Sequence, residues 1–253
     1  MAWTRNAWRF QPVDYPKLLF TKRLYSDDMD DARIADSVVV GANWYRFRSR
    51  EHIRHDRVES CAFIWVVKGS GTITSCGESF SMNTTSVLRL PWKHDVEYRP
   101  DPHSPFHLGT IHIIPEHART VPVEFRVGFE PGDPIIGTAW RRGPTQPGAP
   151  VAMSSLASPG RNVVALASYC VERFLSERVS ETAMRSLAVL VAEESAEWGQ
   201  AVSSAQAVPP VLELMIDHIL SNLDRSLTVA EIAEAGQCSP STAERAFNRH
   251  TGL

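Results

Sequence analysis

Nine histidines stand in a chain of 253 residues, and neutral imidazoles are ordinary ligands for zinc and other transition metals. The set closest to a metal site is His52, His55, Glu59 and His94. The two-residue gap between the first pair and the Pro91-Trp92-Lys93 run before the last histidine do not match a compact ligand spacing, so no metal is assigned. His107 and His112 lie five apart on successive loop and strand positions and, by strand alternation, point to opposite faces. Nucleophilic chemistry has less to stand on. There is no Gly-x-Ser-x-Gly elbow, phosphate-binding glycine loop or dinucleotide fingerprint. Gly69-Ser70-Gly71 lies between two predicted strands and reads as a hairpin turn, and Cys61 sits in an apolar run as a packing residue. No catalytic residue is assigned, and the chain is not expected to be an enzyme. Recognition chemistry is better represented. Trp44, Phe47, Trp65, Trp92, His94 and Phe106 fall in or beside predicted strands, and aromatic walls with a few polar groups make small-molecule pockets. Trp44, Trp65, Trp92 and His94 are the expected ligand contacts; the alternative is that these side chains fill the core.

The elements that must position these groups change character along the chain. Up to about residue 129, short β-branched and aromatic segments alternate with turn residues. They are Ser37–Val40, Cys61–Val67, Gly71–Thr74, Ser86–Leu90 and Leu108–Ile114. Their spacing predicts an antiparallel sandwich or barrel. Residues 130–160 are rich in proline and glycine and predict a loop with an edge strand. From Arg161 the period is helical. One stripe comprises Val163, Leu166, Ala167, Cys170, Val171 and Phe174; Met184, Leu187, Ala188, Val191, Ser195 and Trp198 form a second. The break near Ser180 predicts an antiparallel helix pair, packed on its own domain or forming a dimer interface. Residues 200–208 are small and polar, a linker before a compact unit at 209–253.

Composition is that of an ordinary soluble domain or two: 43% hydrophobic, 22% charged, net charge −3. No run of 18 apolar residues occurs, no hydrophobic leader opens the chain, and four scattered cysteines predict reduced thiols and a cytoplasmic protein without membrane contact.

The unit at 209–253 is the most specific. Val211, Leu214, Met215, His218, Ile219 and Leu223 share a helical face. Thr228-Val229-Ala230-Glu231 predicts a capping box, and Gly236 is expected to supply the left-handed residue of a tight turn. Ser239-Pro240 restarts a helix to about His250, burying Ala243, Ala246 and Phe247 and exposing Ser241, Glu244, Arg245 and Asn248, with Arg249 beside them. Two short helices braced by a third make a helix-turn-helix. The run from Leu227 to Ala233, then Ser239-Pro240-Ser241, then Arg245 to Gly252 resembles, in order and spacing, the first helix-turn-helix of the AraC/XylS family of transcriptional regulators. Trp65 to Gly71 resembles the strand-turn of that family's cupin-like sensor domain.

The resemblance, over about residues 30–253, implies an α+β chain. A cupin-like antiparallel β-barrel at 1–160, with an N-terminal extension, is followed by a helical dimerisation segment at 161–199. The linker at 200–208 and a DNA-binding unit at 209–253 complete it. It implies a small-molecule effector, a homodimer through 161–199, and DNA read by the helix at 240–250. Arg245 is placed for guanine, Ser241 and Glu244 for neighbouring bases, and Asn248 and Arg249 for phosphates. The chain stops at Leu253, after the first of the family's two helix-turn-helix units, and residues 209–253 hold three Lys/Arg against six Asp/Glu. Both features predict weakened DNA binding. The alternatives are a sensor or dimerisation module that binds ligand or partner but not DNA, and a metal-dependent cupin enzyme.

Overall fold

The computed structural model describes residues 36–146, 148–156, 158–196, 210–222 and 225–251. The N-terminal extension, Trp198, the 200–208 linker and Leu223 lie outside the described residues.

The chain is α+β. Five strands, β1 (Val38–Arg46), β3 (Cys61–Lys68), β6 (Ser86–Leu90), β8 (His107–Ile114) and β11 (Val151–Ser154), form one antiparallel sheet in the order β1-β8-β3-β6-β11. Four more, β2 (Ile53–His55), β4 (Gly71–Ser75), β5 (Glu78–Met82) and β7 (Val96–Pro100), form a facing sheet in the order β2-β7-β4-β5. A small ladder joins β9 (Glu116–His117) to β10 (Arg141–Arg142). Among its described residues, the proline-rich stretch up to Pro159 is loop and turn except for β10 and the edge strand β11. The expected barrel is an open pair of sheets: among the described strands no ladder joins one to the other. The corner between them is held by single bonds such as Val58 N–H to His94 O, 2.8 Å.

Strand alternation builds two cores. On β3, Ala62, Ile64 and Val66 face the second sheet with Ile73, Leu90 and Phe106, while Phe63 and Trp65 face the other way. That outer face is covered by α1 (Gly160–Leu175) and α2 (Glu181–Ala196). Their stripes, Val163, Ala167, Cys170 and Val171 with Met184, Leu187, Ala188 and Val191, pack on Val38–Val40, Ile111 and Ile113. The stripes therefore cover the chain's own sheet. A partner chain would have to use the outer surfaces, where Tyr169, Leu175 and Leu190 are exposed. Arg185 pins α2 to the sheet end by donating to Asp36 O (3.0 Å) and pairing with Glu181 (2.9 Å).

The C-terminal helices are α3 (Pro210–Ser221), α4 (Val229–Ala235) and α5 (Pro240–Thr251). Leu212, Met215, Ile216, Ala233 and Ala243 make their shared core, with Ile232, Ala246 and Phe247 packed against it. At ~25 cal/mol per Å² of apolar surface removed from water, this small cluster depends on good helix ends. The capping box at Thr228 is complete. Glu231 N–H donates to Thr228 Oγ1 (3.2 Å), and Thr228 N–H donates to Glu231 Oε2 (2.8 Å). The Thr228 amide, then the Arg225 guanidinium and the Thr228 hydroxyl, hold the Glu231 carboxyl down at about 2. Thr228→Ala is expected to remove ~1 kcal/mol from this unit. Urea unfolding followed by helical circular dichroism measures it, and an unchanged midpoint would mean the cap does not limit stability.

Candidate functional site

The turn between α4 and α5 differs from expectation in its residues. Gly236 has φ −80°, an ordinary helical value, and the left-handed residue is Gln237, with φ 52°. Gly236 serves close packing instead. A Cβ there would lie 2.5 Å from Met215 Cγ and 3.0 Å from Val211 O, so only glycine lets α4 end against α3. Ser239 then caps α5, its Oγ accepting from Thr242 N–H at 3.3 Å.

With Ala243 buried beneath it, α5 turns Ser241, Glu244, Arg245 and Asn248 outward, all four exposed. They stand at helical steps of three and four, on one face. The Arg245 guanidinium donates from Nε to Ser241 O of its own helix, 3.1 Å, and the side chain is exposed. The Arg249 side chain lies outside the described residues. The surface thus offers donors, an acceptor and one described cation, a combination suited to base edges as well as phosphates.

The four expected ligand contacts are separated. Trp44 and Trp65 meet edge to face, ring centroids 5.3 Å apart, in the helix-facing core. His107 lies beside Trp44 at 6.0 Å, while His112 is on the opposite face of β8. Trp92 is in the helix-facing core too, and borders a cavity of about 390 Å³ near the end of α2 with Phe63, Arg89 and Ser195. His94 is a corner post. Its Nδ1–H donates to Pro91 O (2.7 Å) and Ser60 O (3.2 Å), and burial pulls its pKa down against those two bonds.

A different set lines the space between the sheets. A cavity of about 520 Å³ opens beside β1, walled by Phe47, Tyr98, Leu108, Val127 and Phe129, with His55, Thr110 and His112 as polar groups. Phe47, among the aromatics named from the sequence, is there; Phe106 packs edge-on behind it at 4.8 Å. Ser60 Oγ and His112 Nδ1 share a hydrogen bond of 2.9 Å. Burial, followed by the neighbouring His94 and His55, pulls the His112 pKa down to about 3. Tyr98, Thr110 and the 125–129 segment were missed. Alternation along β8 groups Leu108, Thr110 and His112, but no local signal marks that face as the one that looks into a cavity.

The candidate metal residues are dispersed. His52 Nε2 pairs with Glu97 at 2.9 Å. Buried Glu59 binds Arg57 (2.6 Å) and accepts from Gly137 N–H (2.8 Å). Among the described residues no three His, Cys, Asp or Glu side chains are placed to hold a metal ion, and no described helix is long and apolar enough to cross a membrane.

No family model matches the chain, and no curated protein matches it. Solved structures do. ToxT from Vibrio cholerae O395 is similar at 11% identity and a TM-score of 0.32, over 84% of this chain and 74% of that one. The structure of unsaturated fatty acid bound ToxT from V. cholerae strain SCE256 is similar at 10% identity and a TM-score of 0.34, over 84% and 73%. The chain is similar as well to the AraC-like transcriptional activator CuxR, at 11% identity and a TM-score of 0.32, over 87% of this chain and 73% of that one.

Proposed function

We propose that the chain is an effector-responsive transcriptional regulator. Its paired sheets hold a small molecule, the outer surfaces of α1 and α2 join two copies, and α5 enters the major groove of DNA. The observation that carries this reading is the α4–turn–α5 unit. A complete capping box, a glycine packed against α3 and a buried Ala243 set one polar face of α5 outward. An outward polar face is common to solvent-facing helices; what supports DNA reading is that these donors, the acceptor and the cation share one face of a helix braced by two others. Control by effector requires that the ligand favour one arrangement of the DNA-reading units over another.

Fluorescence anisotropy against DNA from upstream of the chain's own gene, from low to physiological salt, tests the reading. Sequence-dependent binding is expected, with a shallow salt slope because few phosphates are neutralised. Arg245→Ala is expected to cost ~1–3 kcal/mol at one base position. Equal loss on every sequence would make Arg245 a phosphate contact. No binding by a folded chain would overturn DNA reading by this chain.

A second reading has its own observation. The excess of Asp and Glu over Lys and Arg in residues 209–253, with Glu244 on the outward face of α5, opposes phosphate. It favours a sensor module that binds ligand or a partner chain without reading DNA itself.

A further inference from the structure

We infer that the cavity between the sheets takes an uncharged, largely aromatic molecule, held between the β1–β8 face and the 125–129 segment. The argument begins with charge. Arg126 is the one permanently charged side chain among the described residues lining the space. Its charge is already met: Nη1 lies 2.8 and 2.7 Å from the two Asp133 oxygens, and Nε is 3.0 Å from Glu124. His55 and His112 are both held below the ordinary histidine value, chiefly by burial, and are neutral near pH 7. An ion entering here would leave water without meeting an opposite charge, which is unfavourable for either sign.

The walls supply what a flat apolar molecule needs. Phe47 and Tyr98 lie 5.5 Å apart between ring centroids, and His55 and Phe129 lie 4.6 Å apart, leaving ring faces and edges for offset contacts. Thr110 and His112 give such a guest a polar handle on one side. At about 520 Å³ the space is within the range of small-molecule sites. On the rim, Phe125 and Phe129 remain 37% and 38% exposed, apolar surface that an occupant would cover. Phe125 also meets Phe174 in the last turn of α1, at 6.0 Å, so the rim adjoins the helix pair. The inference deepens the regulatory reading and rests on it only for the consequence of binding.

Isothermal titration calorimetry of the full chain near neutral pH, with 2-naphthol and 2-naphthoate as probes, tests it. These share a ring system and differ in charge. Saturable binding of 2-naphthol is expected, with 2-naphthoate at least about tenfold weaker. Val127→Trp, which places an indole on the cavity wall where Val127 Cγ2 stands 3.0 Å from the point a Cβ on Gly41 would occupy, is expected to weaken 2-naphthol by about tenfold or more, with circular dichroism unchanged. Thr110→Val, nearly isosteric, is expected to weaken it by about threefold or more and serves if the tryptophan variant fails to fold. Equal or tighter binding of 2-naphthoate would overturn the inference. So would the absence of saturable binding, or unaltered binding in both variants. DNA binding is measured without either probe. A chain that binds DNA but not 2-naphthol loses only this inference, and one that binds 2-naphthol but not DNA loses only the DNA reading.

Discussion

Gly109→Ala is expected to lower stability by about 3 kcal/mol, near the upper end for overpacking a core. For a chain of this size that is a fall of about 6–12 °C in melting temperature. Gly109 sits on β8 directly between β1 and β3, paired with Trp44 on one side and Trp65 on the other. A Cβ at this position would lie 2.2 Å from Trp65 Cζ2 and 2.4 Å from Trp44 Cζ3. The Trp65 indole has no easy retreat. Trp65 is 3% exposed, and Trp44, partly buried, packs against the same core that α1 and α2 cover. Near-ultraviolet circular dichroism during thermal unfolding reports the tryptophans directly. Trp44→Ala in the same chain should recover part of the loss, because the clash with one of the two rings is removed. A Gly109→Ala protein that melts like the parent would mean the tryptophans do not close over β8 as described. The same packing explains why Trp44 and Trp65 are poor candidates for ligand contacts: each ring already fills space that a ligand would need.

The second large effect is expected with acid. Burial, then His94 and His55, depress the His112 pKa from 6.5 to about 3, so the folded chain favours the neutral ring. The unfolded chain binds the proton more readily below pH 6.5. The stabilisation is therefore fully present above that value and is lost as pH falls toward 3, at ~1.4 kcal/mol per pH unit. Between pH ~7.5 and pH ~5 the loss from His112 alone is ~2 kcal/mol, and His94, depressed in the same direction, adds to it. Carboxylates with lowered pKa values, such as Asp133 and Glu97, lose their contribution at lower pH, so this window isolates the histidines. Urea midpoints at the two pH values measure the slope. His112→Gln should flatten it, and an equal slope in that variant would assign the acid sensitivity elsewhere.

Features set by neighbours three or four residues away were legible in the sequence. The capping box at Thr228, the restart at Ser239-Pro240 and the outward set on α5 are all local. They depend on amide donors and helical steps that any solvent-facing helix shares. Five strands were legible for a similar reason, since β-branched runs bounded by turn residues specify extended backbone before any tertiary contact. Gly236 shows the boundary. A glycine at a tight turn invites the left-handed reading, yet Gln237 takes that conformation, because Met215 on α3 requires the glycine for its missing Cβ.

Taken alone, then, the sequence determined which residues share a face, where helices begin and which polar groups stay outside. It could not determine what each face looks at. The five-stranded sheet is buried on both sides, so its strands are apolar on both faces, and alternation separates Trp44 and Trp65 from Thr110 and His112 without saying which pair meets a cavity. Only the docking of α1 and α2 on one face, and of a shorter sheet on the other, made the first pair core and the second a cavity wall. That choice rests on contacts between segments far apart in the chain, where the free energy of burial depends on the shape of both partners rather than on either sequence segment.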